Sequence, residues 1–361
     1  MTGALWRGRR VLVTGHTGFK GSWLCLYLNA LGAHVIGYAH APGPSRSLYR
    51  QARVGDAVAE SIEADVRSLD DLESAIEAHR PEVVFHLAAQ ALVRTGYRDP
   101  VTTYATNVMG TVDVLEAVRR VGHGTRAVIC VTSDKCYEER DDGTPYVETD
   151  PLGGSDPYAS SKGCSELVCT AYRRSFAQPD VGHRFVIASA RAGNVIGGGD
   201  WARDRLVVDV VSALLDDRPP TLRFPNAVRP WQFVLDPLAG YLRLAERALE
   251  APAEAAGGWN FGPEPDDCRP VAWLTERLTH ALGRDTPWTL AAGSHPHEAG
   301  LLLLDASKAR RELGWRPAFD LPAAVDATAA WYLAYARGED LASVTRAQVA
   351  EYHRALVATK V

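Results

Sequence analysis

Arg10-Val11-Leu12-Val13-Thr14-Gly15-His16-Thr17-Gly18-Phe19-Lys20-Gly21 opens the regular part of the chain. A short apolar run, Val11 to Val13, is followed at once by glycines at i, i+3 and i+6. Such a run reads as a buried strand. Glycines at that spacing let the backbone turn tightly and bring the N-terminus of a helix up to a pyrophosphate. The turn alone is weak evidence for a dinucleotide site. Its place between a strand and a helix of 3.6-residue period, running to Leu31, makes it a strong one.

The pattern repeats downstream. Strand signals over His34 to Tyr38, Val83 to Leu87, Ala127 to Thr132 and Phe185 to Ala190 alternate with helical spacing over Tyr104 to Arg120 and Ala159 to Phe176. That alternation is the βαβ rhythm of a parallel sheet. The fold class expected is α/β, a Rossmann-type doubly wound parallel sheet with a smaller, mixed α/β substrate-binding lobe. Past Arg191 the chain is punctuated by Gly197 to Gly199, Pro219, Pro220, Pro225 and Pro230, so short elements are expected there. Ala251 to Gly258 reads as a loop before Trp259 to Phe261, and the final helix as Pro322 to Arg337, packed on the body by Trp331 and Tyr332. The cofactor domain is expected over 1–192 plus about 232–262, and the lobe over about 193–231 plus 263–361.

Composition excludes several classes. With 361 residues, 46% hydrophobic and 23% charged, the chain can bury ample cores, and at roughly 150 residues per domain it divides into two unequal lobes. A net charge of -5 with no stripe of Lys or Arg argues against nucleic acid. Met1 to Arg10 is short and basic and lacks the hydrophobic segment of a signal peptide, so a cytoplasmic protein free of membrane is expected. The six cysteines contain no Cys-x-x-Cys pair and read as buried thiols; His295-Pro296-His297 lacks further ligands at sensible spacing, so no metal is expected.

The cofactor candidates are Gly15, Thr17, Gly18, Phe19, Lys20 and Gly21 in the first turn, with Asp65 and Val66, after an expected third strand, for the adenine edge, and Leu87, Ala88, Ala89 and Gln90 after the fourth strand, Val83 to Leu87. The second strand ends at Gly37-Tyr38-Ala39 without the acid that usually holds an NAD ribose, and His40 and Arg46 lie nearby. NAD is expected, and NADP stays open.

Tyr158 and Lys162 stand one helical turn apart on one face, where an ammonium favours the tyrosinate. A Tyr-x-x-x-Lys pair is common in any protein. Ser133, at the C-terminal end of a buried strand where open α/β sheets gather their ligands, raises its weight, and Asn107 completes a hydride-transfer set. Asp134 and Lys135, directly after Ser133, are more than alcohol oxidation needs. Removing a C–H proton and expelling a hydroxyl requires a base and an acid side by side. The bland alternative is a structural ion pair or a helix cap from Asp134.

Taken together, Thr14 to Trp23, Thr132-Ser133-Asp134-Lys135-Cys136-Tyr137, Ser189 to Trp201 with its Ala192-Gly193-Asn194-Val195-Ile196-Gly197-Gly198-Gly199 centre, and Arg229-Pro230-Trp231-Gln232 strongly resemble the CDP-glucose 4,6-dehydratases, extended short-chain dehydrogenases. The likeness runs from about Arg10 to Arg316. Its most diagnostic part is Asp-Lys, where related dTDP-glucose and GDP-mannose dehydratases carry Asp-Glu and 4-epimerases lack the pair.

The resemblance implies C4 oxidation of a nucleotide-linked glucose, with Tyr158 as base assisted by Lys162 and Ser133. Lys135 would then take the C5 proton, Asp134 would protonate the departing C6 hydroxyl, and hydride would return to C6. It also implies that Asn194 and Arg229 hold the diphosphate, with Arg94, Trp201, Arg205 and Trp231 as further substrate candidates, and a homodimer built on helices near Tyr104 to Arg120 and Ala159 to Phe176. The base of the nucleotide is read from the resemblance alone. Two rivals remain at this point: a nucleotide-sugar 4-epimerase, which would gain nothing from Asp134 and Lys135, and a non-catalytic cofactor-sensing protein, which would be expected to lose Tyr158 or Lys162.

Overall fold

The computed structural model describes residues 3–43, 46–140, 142–177, 185–293 and 302–358. His295 and His297 lie outside them. Seven parallel strands form the central sheet: β1 (Arg10–Thr14), β2 (His34–Ala39), β3 (Glu60–Glu63), β4 (Val83–His86), β5 (Ala127–Val131), β6 (Val186–Ala192) and β7 (Gly257–Phe261). Their order is β7-β6-β5-β4-β1-β2-β3. The expected Rossmann-type sheet is therefore present, and its order reverses between β1 and β4, where such sheets bind ligands.

The central strands read as unbroken apolar runs because both faces are covered. Val11 and Val13 of β1 enter one core and Leu12 the other; Val83 and Phe85 of β4 part from Val84 in the same way. The larger core holds Trp23, Trp231, Trp259 and Trp331, and the smaller one Leu72, Val114, Leu115 and Cys169.

Helix α1 (Phe19–Ala30) follows β1, α2 (Leu69–His79) follows β3, α3 (Gly110–Val121) precedes β5 and α4 (Pro157–Phe176) precedes β6. The single helix expected from Tyr104 is instead three pieces: an α-turn Pro100–Tyr104, a π-helical turn Ala105–Met109, and α3. The apolar spacing continues through the bulge, so the pattern does not register it.

Beyond β6 the chain is more regular than its Pro and Gly content suggests. Helices α5 (Leu206–Leu215), α6 (Leu235–Glu250) and α7 (Val271–Ala281) are all full-length, and Pro237 sits in the first turn of α6, where a missing N–H costs nothing. The expected loop Ala251 to Gly258 contains a turn of helix, Pro252–Ala255, and the first residues of β7. The helix read as final is α8 (Leu321–Ala336); a further one, α9 (Leu341–Ala358), follows it. Trp331 and Tyr332 of α8 are fully buried, as expected of packing residues. All six cysteines are free; four are buried, while Cys164 and Cys268 are partly exposed.

Candidate active site

The C-terminal ends of β1 and β4 are drawn together by one hydroxyl. Thr14 Oγ1 lies 2.8 Å from His86 Nδ1 and accepts from the backbone N–H of Leu87 and Ala88, each at 3.2 Å. Burial and the nearby Lys162 push the His86 imidazole down to about 3, so it serves this network as a neutral ring. Above it the first turn leaves no spare room. Gly15 has φ +75°, and a Cβ on it would stand 2.7 Å from the Ala88 nitrogen; one on Gly21 would stand 2.1 Å from the Gly15 oxygen. The first glycine thus allows the turn and the third lets α1 start against it.

A cavity of ≈ 770 Å³ opens from this turn past Ser133 and Tyr158 to Arg223, Arg229 and Trp231. Gly15, Thr17, Gly18, Phe19, Lys20, Gly21, Val66, Leu87, Ala88 and Ala89 line one end, so the glycine cradle and the small side chains across from it fit an extended dinucleotide. Asp65 and Gln90 do not line it. The Asp65 carboxylate is gripped by Arg67 through bonds of 2.6–3.1 Å, which holds it below its usual range. Gln90 spends its side chain on Thr103 and the Leu92 N–H.

Asn107 also stands behind the wall, at the centre of the π-turn. Its Oδ1 accepts from Gln90 N (2.8 Å), and its Nδ2 donates to the Gln90 carbonyl (3.0 Å) and to Ser161 Oγ (2.8 Å). It therefore ties the loop after β4 to helix α4, a positioning task.

Helix α4 begins on an Asp156 cap that accepts from Tyr158 N and Ala159 N, with Pro157 in the first turn. This start sets Tyr158 into the cavity wall opposite Ser133, Asp134 and Lys135. Burial raises the Tyr158 phenol to about 12, against the pull of a hydrogen bond with Ser133 and of the Arg205 charge. Lys162 reaches the same cavity but donates to the Val131 carbonyl at 3.3 Å, and burial lowers its ammonium to about 8. Ser133 Oγ donates to Asp134 Oδ1 at 2.8 Å. Burial raises the Asp134 carboxyl above its ordinary value although Lys135, Ser133, Lys20 and Arg229 all pull it down.

Arg94, Asn194, Arg205, Arg229 and Trp231 also line the cavity. Arg94 Nη1 donates to Asp204 at 3.0 Å, Arg205 Nε lies 3.4 Å from Asp200, and Trp231 is anchored by Nε1 to the Arg269 carbonyl at 2.9 Å. Trp201 is not part of the wall. It packs edge-on against Tyr332 at 5.3 Å and bonds Gln51, joining the aromatic face of α8.

Two features escaped the sequence reading. Arg223 lines the cavity within 3.9 Å of Asp204, and no motif marks it. Lys20, grouped by its motif with the cofactor turn, points its amine at Tyr241 Oη (3.3 Å). Burial and the charges of Arg205 and Lys162 lower it to about 7, and Asp134 opposes that shift. Only the fold brings Tyr241 of α6 there. Among the described residues no group of three or more His, Cys, Asp or Glu is arranged to hold a metal ion, and no helix is long and apolar enough to cross a membrane.

Comparison with known proteins agrees with this geometry. A model of the family described as NAD dependent epimerase/dehydratase matches residues 11–256. A CDP-glucose 4,6-dehydratase of Salmonella typhimurium is 46% identical over 349 residues, covering 96% of this chain and 97% of that protein. Among solved structures, a UDP-glucose 4-epimerase of Thermotoga maritima superposes with a TM-score of 0.77 at 24% identity, over 91% of this chain and 99% of that one. A dTDP-glucose 4,6-dehydratase of Streptomyces venezuelae, solved with NAD, gives 0.76 at 25% identity, over 92% and 99%. By sequence along most of its length and by the fold that carries the site, the chain belongs to the NAD dependent epimerase/dehydratase family.

Proposed function

We propose that the protein is a CDP-glucose 4,6-dehydratase, converting CDP-D-glucose to CDP-4-keto-6-deoxy-D-glucose and water with NAD. The observation that carries the reading is the Asp134-Lys135 pair beside Ser133, facing Tyr158 in one cavity. An epimerase has no use for it.

The glycine turn, Val66 and Leu87 to Ala89 hold the cofactor, and Asn194, Arg205 and Arg229 face the diphosphate, where a guanidinium fork suits phosphate. NAD, when bound, supplies an acceptor for the hydride of C4 and returns it at C6. Tyr158 removes the C4 hydroxyl proton, with Ser133 beside the phenol and Lys162 supplying positive charge behind it. The C4 ketone then acidifies C5–H. Lys135 takes that proton, and Asp134, which burial keeps inclined to hold its own, delivers it to the C6 hydroxyl as that leaves as water.

The reading includes the two-lobed division at about 193–231 and 263–361 and action in the cytoplasm. It also includes a homodimer through the exposed apolar side chains Val101, Tyr104, Met109, Leu167 and Phe176 on the 100–109 turns and α4. A Met109→Glu, Leu167→Glu double variant is expected to elute and sediment as a monomer; an unchanged dimer would place the interface elsewhere. For the activity itself, the purified protein is incubated with NAD and separately with CDP-, dTDP-, UDP- and GDP-linked hexoses, and product mass is followed. Loss of one water from CDP-glucose is expected. Loss from another sugar would change the substrate, and loss from none would remove the dehydratase reading.

A further inference from the structure

Behind the catalytic wall lies a buried ion pair that the chemistry above does not use. Glu166 stands one turn beyond Lys162 on α4, and Arg191 lies on β6; their side chains are 1% and 5% exposed. Glu166 Oε1 accepts from Thr132 Oγ1 at 2.5 Å, and Oε2 accepts from Ser189 Oγ and Arg191 Nη2, each at 2.7 Å. Arg191 Nη1 continues to Tyr137 Oη at 2.7 Å and the Glu148 carbonyl at 3.1 Å, and the Tyr137 hydroxyl donates to Asn260 Oδ1 at 2.7 Å. The guanidinium also lies over the Tyr137 ring, 5.0 Å from its centroid. Strand β7 leaves the space: a Cβ on Gly258 would stand 2.6 Å from Arg191 Nη2.

A pair so far from water gains little net stability, because desolvation offsets the attraction. Its bonds are informative for where they end. Thr132 precedes Ser133, and Tyr137 follows the 3₁₀ turn Asp134–Cys136, so the pair grips the acid-base turn at both ends from the helix that carries Tyr158 and Lys162. We infer that Glu166 and Arg191, with Tyr137 as their outer contact, are positioning residues that fix the Ser133-Asp134-Lys135 turn opposite Tyr158 during dehydration. The inference rests on the dehydratase reading.

Glu166 acts on Lys162 as well. The ammonium is surrounded by Glu166, whose charge favours its protonated form, by the buried thiols of Cys130, Cys136 and Cys169, and by Lys20 and His86. Among them Glu166 is the carboxylate that favours the protonated amine.

The test uses Glu166→Gln, Arg191→Lys and Tyr137→Phe in the full chain, with NAD and whichever nucleotide sugar the wild type dehydrates. All three are expected to lower kcat about tenfold or more, as for displaced catalytic groups. KM should stay within about twofold, since no binding contact is removed. In Tyr137→Phe, oxidation at C4 should outrun elimination, so the absorbance of reduced nicotinamide should build up during turnover. Glu166→Gln alone should move the alkaline limb of the kcat profile down by about one pH unit, because a neighbouring negative charge is lost. Wild-type kcat and an unmoved limb in folded variants would overturn the inference, as would a rise in KM at constant kcat. Should the two ion-pair variants fail to fold, Tyr137→Phe decides, since it leaves the pair intact. An inert wild type removes the reading and the inference together; an active wild type with unaffected variants removes only the inference.

Discussion

Asp134 and Lys135 are neighbours in the chain and differ in their surroundings: the aspartate is 4% exposed and burial raises its pKa, while the lysine is partly open to the cavity. A buried carboxyl whose proton burial favours, beside a more open amine, is the pairing of surroundings an elimination can use. Lys135→Ala is expected to leave C4 oxidation intact and to slow water loss by about 10²- to 10⁴-fold, read as retained reduced cofactor without dehydrated product. Near-normal product formation would assign the C5 proton to another base. Arg229→Ala should raise KM about ten- to a hundredfold with kcat little changed, as for loss of a charged hydrogen bond made equally in ground and transition states. Steady-state kinetics separate this from a role in the chemistry, which would lower kcat. At this scale the motif residues were legible, because glycine spacing and the Tyr-x-x-x-Lys pair act locally. The fate of Trp201 was not. Its motif borders the lobe, yet Gly198 backs onto Trp331, where a Cβ would lie 2.0 Å from the ring, and Trp201 follows it into that packing.

Among the elements, the central strands could be read from their apolar runs, whereas the polar edge strand β3 (Glu60–Glu63) and the π-turn could not. A bulge adds one residue without changing composition, so only the backbone reveals it, where the Gly110 N–H reaches the Ala105 carbonyl five residues back. Asn107→Ala would strip the Gln90 N–H and Ser161 of this partner, and such a loss costs about 1–3 kcal/mol when the group left behind is buried. We expect a lower melting temperature together with weaker NAD retention, since the loop after β4 lines the cofactor end; a lower melting temperature with unchanged NAD affinity would confine Asn107 to stability. The helices after β6 were harder to see because Pro and Gly mark their boundaries so densely. Pro237 stands inside a helix it begins, and the tight Gly197 to Gly199 turn lets Trp23 of α1 bond the Gly198 carbonyl at 3.1 Å.

For the whole molecule, the question is how residues beyond the sheet are fastened to it, and one carboxyl answers much of it. Asp236, in the first turn of α6, accepts through Oδ1 from the Ala318 N–H at 2.7 Å and from Tyr352 Oη at 2.8 Å, while its carbonyl accepts from Trp315 Nε1 at 3.0 Å. Tyr352 belongs to α9 and meets Tyr27 of α1 edge-on at 6.2 Å, so the last helix rests on the one that begins at the glycine turn. No sequence pattern announces contacts between residues so far apart. Asp236 Oδ2 is buried without a partner among the described residues, and burial raises this carboxyl from 3.8 to about 7. Between those pH values the folded chain keeps on Asp236 a proton that the unfolded chain has lost, so this group's contribution to stability is greatest at the acid end, falls as pH rises through the window and levels off above about 7. Asp236→Asn keeps the Oδ1 acceptor and cannot ionise. The wild-type minus variant difference in melting temperature should therefore become steadily less favourable to the wild type from about pH 4 to about pH 7 and stay constant beyond. A difference that does not vary with pH would mean that Asp236 is ionised in the folded protein, and that α9 is held by a charged hydrogen bond.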